Sequence, residues 1–240
     1  MARLDDAAIY RVPEPTFGEA GCGGESGRMK HGRDGLALHQ QAVGALAGGL
    51  ARVLGWTAEH ALQLQEAAAL HDMGKRFIDP QVVRKPGPLS DDERALMQLH
   101  PELGWLHLRS VPPSPVIDLA AQIALEHHER WDGAGYPARK CGDTIGLPSR
   151  ITSLCDAYAA RRERRPYKAE SSHDEALAVL IAGEAPGSQA FDPALLAAFS
   201  ANEPCMERIF DLHAALSTCA SARTLPQQDT DDHAARHDNR

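Results

Sequence analysis

The chain is poor in aromatic side chains, which make up 5% of its 240 residues. It also has no apolar run long enough to cross a bilayer, since even the stretch 42–56 contains Arg52 and several glycines. Cysteine is sparse: five residues, an odd number at irregular spacing, form neither a disulfide framework nor a CxxC metal knuckle. A reducing cytoplasm is the expected setting. The opening Met-Ala-Arg-Leu-Asp-Asp lacks the charged and apolar regions of a secretory signal. Basic charge is in deficit. A formal net charge of −8 argues against a protein that tracks a long nucleic acid, which needs a basic face. A small anionic substrate stays open if cations, metal ions above all, are concentrated locally.

What remains is a chain dominated by Ala and Leu, with 43% hydrophobic residues, enough for a sizeable core of helices packed on helices. An all-α fold follows. Residues 1–33 are rich in Gly, Pro and charge and read as a flexible leader. One helical domain is expected over 34–217, and the polar residues 218–240 read as a disordered tail.

Apolar positions recur at helical spacing from Asp34 to Leu54, with His39 beside the stripe, where alone it reads as an ordinary boundary histidine. Thr57 is a plausible N-cap for a second helix in which Ala61, Leu64, Ala68 and His71 share a face. Ser90 and Glu93 match a capping box. The helix they open meets Pro101 directly after His100, which predicts a kink or break that aims the imidazole inward. Ser114 and Pro115 start the helix that ends in His127 and His128; the alternative for that pair is a solvated helix end beside Glu126 and Glu129. Gly133 and Gly135 interrupt the following loop, Trp131 to Pro137. Asp156 lies in an apolar helix, where a carboxylate needs a partner. The basic run Arg161 to Arg165 reads as a solvated face or an anion clamp. Ser172 opens another capping box, and Phe191-Asp-Pro and Pro204-Cys-Met begin two short helices.

The most informative stretch is Glu66–Ile78, where His71 and Asp72 stand side by side as an alanine-rich run meets Gly74. Imidazole and carboxylate both ligate divalent ions. Neighbours on a helix point about 100° apart, so the pair can share one ion only where the helix is ending, unless the carboxylate reaches a second ion. Lys75 adds an ammonium. The three groups together suit a metal site that works on an anion.

His71-Asp-Met-Gly-Lys75, Lys85-Pro-Gly-Pro-Leu, His100-Pro, His127-His-Glu-Arg-Trp-Asp-Gly-Ala-Gly-Tyr-Pro137, Asp156 and Arg165-Pro-Tyr-Lys168 resemble, in order, the motifs of the bacterial HD-GYP family, a branch of the HD phosphohydrolase superfamily. The resemblance runs from about 34 to 200 and implies an all-helical phosphodiesterase that hydrolyses cyclic di-GMP to pGpG, which members of the family often carry on to GMP. It also implies two divalent ions, Fe or Mn: His39, His71, Asp72 and Asp156 would hold one, His100, His127 and His128 the other, with Asp72 bridging. Asp72 and Lys75 would be catalytic, with Lys75, Tyr136, Arg165 and Lys168 contacting substrate. Three-metal members carry a glutamate where this chain has Gly35, hence the expectation of two ions. The chain also departs from the pattern at Ala159, where a second acidic residue is usual, at Arg139-Lys140, and at Gly146, where proline is common. These departures keep open another cyclic dinucleotide or nucleotide as substrate, or a weakly active signalling adaptor. Docking onto a diguanylate cyclase or another signalling protein is a further implication; a nucleic acid polymer and membrane insertion are not expected.

Overall fold

The computed structural model describes residues 35–163, 171–183 and 188–222. The expected leader and all but the start of the expected tail therefore lie outside the described residues. No strand occurs among the described residues, and no described helix is long and apolar enough to cross a membrane.

Among the described residues ten α-helices follow one another: α1 (Gly35–Val53), α2 (Ala58–Ala68), α3 (Pro80–Val83), α4 (Asp91–Met97), α5 (His100–Arg109), α6 (Pro115–Glu126), α7 (Leu147–Arg162), α8 (His173–Ala182), α9 (Pro193–Ala201) and α10 (Glu203–Ala222). Their starts are set by short side chains that satisfy free backbone amides. Thr57 accepts from His60 N, and Ser114 from Ile117 N. Ser90 with Glu93 and Ser172 with Glu175 form complete capping boxes. Asp79 and Asp192 cap helices that carry proline in the first turn.

Helix α1 is the central element, packed on α2, α7 and α10, while α6 lies between α2 and α5. Leu46, Leu50, Leu64, Ile123, Ile151, Leu154, Phe199 and Met206 are fully buried where these helices meet. Tyr158 reaches into the same core and stacks at angles against Phe199 and Phe210.

Two expectations are corrected here. The helix that begins at Glu203-Pro204 is not short: α10 runs 20 residues to Ala222, because alanines such as Ala214 and Ala215 favour helix strongly enough to carry it on. The basic run is neither a solvated face nor an anion clamp at Arg162. That side chain is buried, donating to Tyr158 Oη and to Asp211 at 2.8 Å each, with its guanidinium over the Phe210 ring.

Candidate metal centre

Three interruptions of helix build most of the centre. Helix α2 stops at Ala68, and His71 and Asp72 sit in the turn before a 3₁₀ segment, Met73–Phe77. The break between α4 and α5 falls at Gln98-Leu99, so that His100 opens α5 with Pro101 in its first turn, where proline is tolerated. His127 and His128 directly follow the end of α6. His39 and Asp156 differ, since they come from within α1 and α7. Gly74 is not a helix cap. It lies against α5 so closely that a Cβ there would collide with the His100 carbonyl and stand 2.6 Å from Gly104 N. That contact presses the His71-Asp72 turn onto His100.

All seven expected donors converge. Asp72 Oδ1 lies 3.3 Å from His100 Nε2 and 3.6 Å from His127 Nε2, and Asp72 Oδ2 lies 3.4 Å from His71 Nε2. Asp156 Oδ1 is 2.9 Å from His39 Nε2 and 3.9 Å from His71 Nε2. Six of the donors fall into two compact groups, Asp72 with His100, His127 and His128, and Asp72 with His39 and His71, within 4.8 Å in each, and Asp156 stands beside the second. Asp72 belongs to both.

The imidazoles are oriented from behind. His71 Nδ1 donates to Ala68 O at 2.8 Å, His100 Nδ1 to Met97 O at 2.7 Å, and His127 Nδ1 to Ala124 O at 3.0 Å. Each bond fixes the proton on Nδ1 and turns an Nε2 lone pair toward Asp72. His100 Nε2 and His127 Nε2 then face each other at 3.3 Å, two lone pairs that repel unless a cation lies between them. His71 Nε2 and Asp72 Oδ1 are buried without any hydrogen-bond partner. Buried polar atoms rarely stay unsatisfied, so nitrogen and oxygen donors arranged this way fit divalent cations.

The electrostatics leave His100 and His128 ready to ligate, whereas at His39 an entering cation has to displace a proton. Burial, and then the nearby His127, push His100 down to about 3, and the same two causes hold His128 well below its ordinary value, so both stay neutral and able to ligate. Burial would raise Asp72, but the adjoining His71 and Lys75 outweigh it and keep the carboxyl well below its ordinary range. His39 is raised to about 10: burial opposes protonation, while its bonds to Asp156 and Glu163 favour it more strongly.

Lys75 donates to Asp72 Oδ2 at 2.5 Å, three residues away on the 3₁₀ turn. Tyr136 stacks flat on His128, rings 4.8 Å apart and 17° from parallel. Burial and the charges of Asp72 and Asp156 raise its phenol, which remains a donor. Arg165 and Lys168 lie outside the described residues.

Several residues were not singled out in the sequence. Glu126 and Glu129 do not flank a solvated helix end; both are buried. Glu129 accepts from the amides of Ala138 and Lys140 at 2.7 and 2.9 Å. Glu126 receives Lys140 Nζ at 2.6 Å, Ser149 Oγ at 2.9 Å and the Gly146 amide at 3.0 Å. Two of the chain's departures, Lys140 and Gly146, thus meet at one carboxylate, and a proline at 146 would have no N–H to give it. Gly135 has no room for a Cβ, which would lie 2.5 Å from both His128 O and Arg130 N, so the loop carrying Tyr136 folds tightly back on the histidines. Glu163 accepts from His39 Nδ1 with both oxygens at 3.0 Å.

A helical bundle that gathers a His-Asp pair and further histidines around a shared carboxylate defines a metal-binding HD-type helical protein. The chain belongs to the HD domain family, whose model matches residues 30–195. It is 42% identical over 144 residues to a cyclic di-GMP phosphodiesterase of Vibrio cholerae, covering 58% of this chain and 29% of that one. The cyclic di-GMP phosphodiesterase response regulator RpfG of Xanthomonas campestris is 38% identical over 175 residues, covering 73% and 45%. A 3′3′-cGAMP-specific phosphodiesterase of Vibrio cholerae is 38% identical over 130 residues, covering 54% and 25%. The chain thus spans less than half the length of these relatives. Among solved structures, an HDG"Y"P protein of Bdellovibrio bacteriovorus shares the fold, with a TM-score of 0.54 at 20% identity over 74% of this chain and 52% of that one.

Proposed function

We propose that the chain is a metal-dependent phosphodiesterase that opens cyclic di-GMP to linear pGpG and carries it on to GMP. The observation that carries the reading is the pair of donor groups sharing Asp72, with His71 Nε2 and Asp72 Oδ1 buried and unsatisfied between them. His39, His71, Asp72 and Asp156 would hold one ion and His100, His127 and His128 the other, with Asp72 common to both. Iron or manganese suits a set of nitrogen and oxygen donors without thiolate. Bound ions would neutralise charge on the scissile phosphate and acidify a water for attack on it.

The chain's own groups do the rest. Lys75, anchored on Asp72, offers an ammonium to a phosphate oxygen at the same centre. Tyr136 covers His128 and presents a protonated hydroxyl to an anionic ligand. Arg165 and Lys168 would add cations for phosphate or guanine. The loop held by Glu126 and Glu129 forms one wall. The similarity to a 3′3′-cGAMP-specific enzyme supports a second reading, in which the mixed cyclic dinucleotide is preferred. A diguanylate cyclase or another signalling protein is the partner this role would involve.

Protein reconstituted anaerobically with Fe(II) or Mn(II) is expected to convert cyclic di-GMP to pGpG, followed by chromatography beside 3′3′-cGAMP. Metal-loaded protein that yields no product from either would refute the phosphodiesterase reading.

A further inference from the structure

We infer that Glu163 is a positioning residue that locks His39 for metal binding. This rests on the metal-centre reading above.

Three of the imidazoles, those of His71, His100 and His127, are held through Nδ1 by a carbonyl three residues earlier, at or beside a helix end. Those carbonyls are within reach because the last turn of a helix leaves its C=O groups without the usual amide partner four residues on, although Ala68 O also accepts the His71 amide at 3.1 Å. His39 has no such resource. It lies inside α1, where the carbonyls already accept from amides one turn on. Its Nδ1 needs a partner from elsewhere, and Glu163 supplies one across 124 residues of sequence, both carboxylate oxygens at 3.0 Å.

The grip is two-sided. Asp156 and Glu163 are seven residues apart at the end of α7, so they face the same side, toward α1. Asp156 takes Nε2 at 2.9 Å and Glu163 takes Nδ1. The ring can neither flip nor tilt without breaking a charge-assisted bond. A cation entering the His39, His71 and Asp72 group takes over Nε2, while Glu163 keeps the Nδ1 proton and raises the donor strength of the nitrogen opposite. Carboxylates behind ligating histidines act this way in metal proteins generally, and their loss weakens metal affinity by about 10–100-fold.

The test is titration of the metal-free protein with Mn(II) by calorimetry at about neutral pH, comparing wild type, Glu163→Gln and Glu163→Ala, with circular dichroism of each metal-free form. Two Mn(II) ions are expected to bind the wild type. Glu163→Ala should weaken one of them by about 10–100-fold and leave the other unchanged. Glu163→Gln keeps an oxygen that accepts the Nδ1 proton, so it should lose less. Equal affinities in all three proteins would overturn the inference, as would an equal loss at both ions, which marks a general effect on the fold. Wild-type protein that binds no Mn(II) would instead sink the metal-centre reading, and this inference with it.

Discussion

Replacing Gly74 with alanine tests how the two halves of the centre are pressed together. The added Cβ meets only backbone: it collides with the His100 carbonyl oxygen and stands 2.6 Å from Gly104 N and 2.8 Å from the His100 carbonyl carbon. Ordinary carbon contacts lie at about 3.5–4.0 Å, so the His71-Asp72 turn and α5 must part by about 1 Å. Overpacking of this kind costs about 1–3 kcal/mol, which for a domain of this size lowers the melting midpoint by roughly 3–10 °C. The effect on the centre is larger, because Asp72 and His100 stand on opposite sides of the contact, 3.3 Å apart, and metal–ligand distances tolerate only about 0.2 Å. Thermal unfolding of the metal-free protein and Mn(II) titration are the assays. Gly49→Ala is the control, since a Cβ there meets only the far end of the Ile209 side chain, which can turn aside. Gly74→Ala that melts with wild type and binds Mn(II) as tightly would refute the reasoning.

Two further outcomes follow from the structure. Arg162→Ala should cost about 1–3 kcal/mol in urea unfolding, through its lost bond to Tyr158 and lost packing on Phe210. Arg162→Met should cost less because the stem volume is kept, and Asp211, more than half exposed, rehydrates in either variant. Arg130, and to a lesser extent the amides of Ala134 and Gln189, hold Asp132 at about 2 against an ordinary 3.8. A carboxyl lowered in the folded state stabilises above its ordinary value, and that share is lost as pH falls from about 4 through about 2. The stability gap between wild type and Asp132→Asn should therefore close over that window in pH-dependent unfolding; a gap constant with pH would refute it.

The parts of this centre that were legible in the sequence are those written in short-range pattern. Capping serines, a proline after a histidine and paired histidines at the end of an apolar stripe each declare their local geometry, and so the starts of α2, α4, α6 and α8 could be placed, while the full set of seven donors came from the family resemblance. What could not be read depends on distant partners. Glu163 stands in a basic run that suggests solvent, and only the folding of α7 onto α1 brings it to His39. Glu126 and Glu129 carry the charge of surface residues, yet the backbone amides of the following loop draw them inward. The closeness of Gly74 to His100 leaves no mark in sequence beyond a glycine that equally suits a helix end. Arg162 was misjudged for the same reason: its counter-charge, Asp211, lies 49 residues on.

The carbonyls that grip His71, His100 and His127 come from the last turns of α2, α4 and α6. Each such terminus carries roughly half a negative charge, so three of them and two aspartates face the place where a phosphate would have to rest. On the proposed reading, bound cations together with Lys75 offset that negative field for an anionic dinucleotide. Loading on the proposed reading is therefore ordered, cations first and nucleotide second.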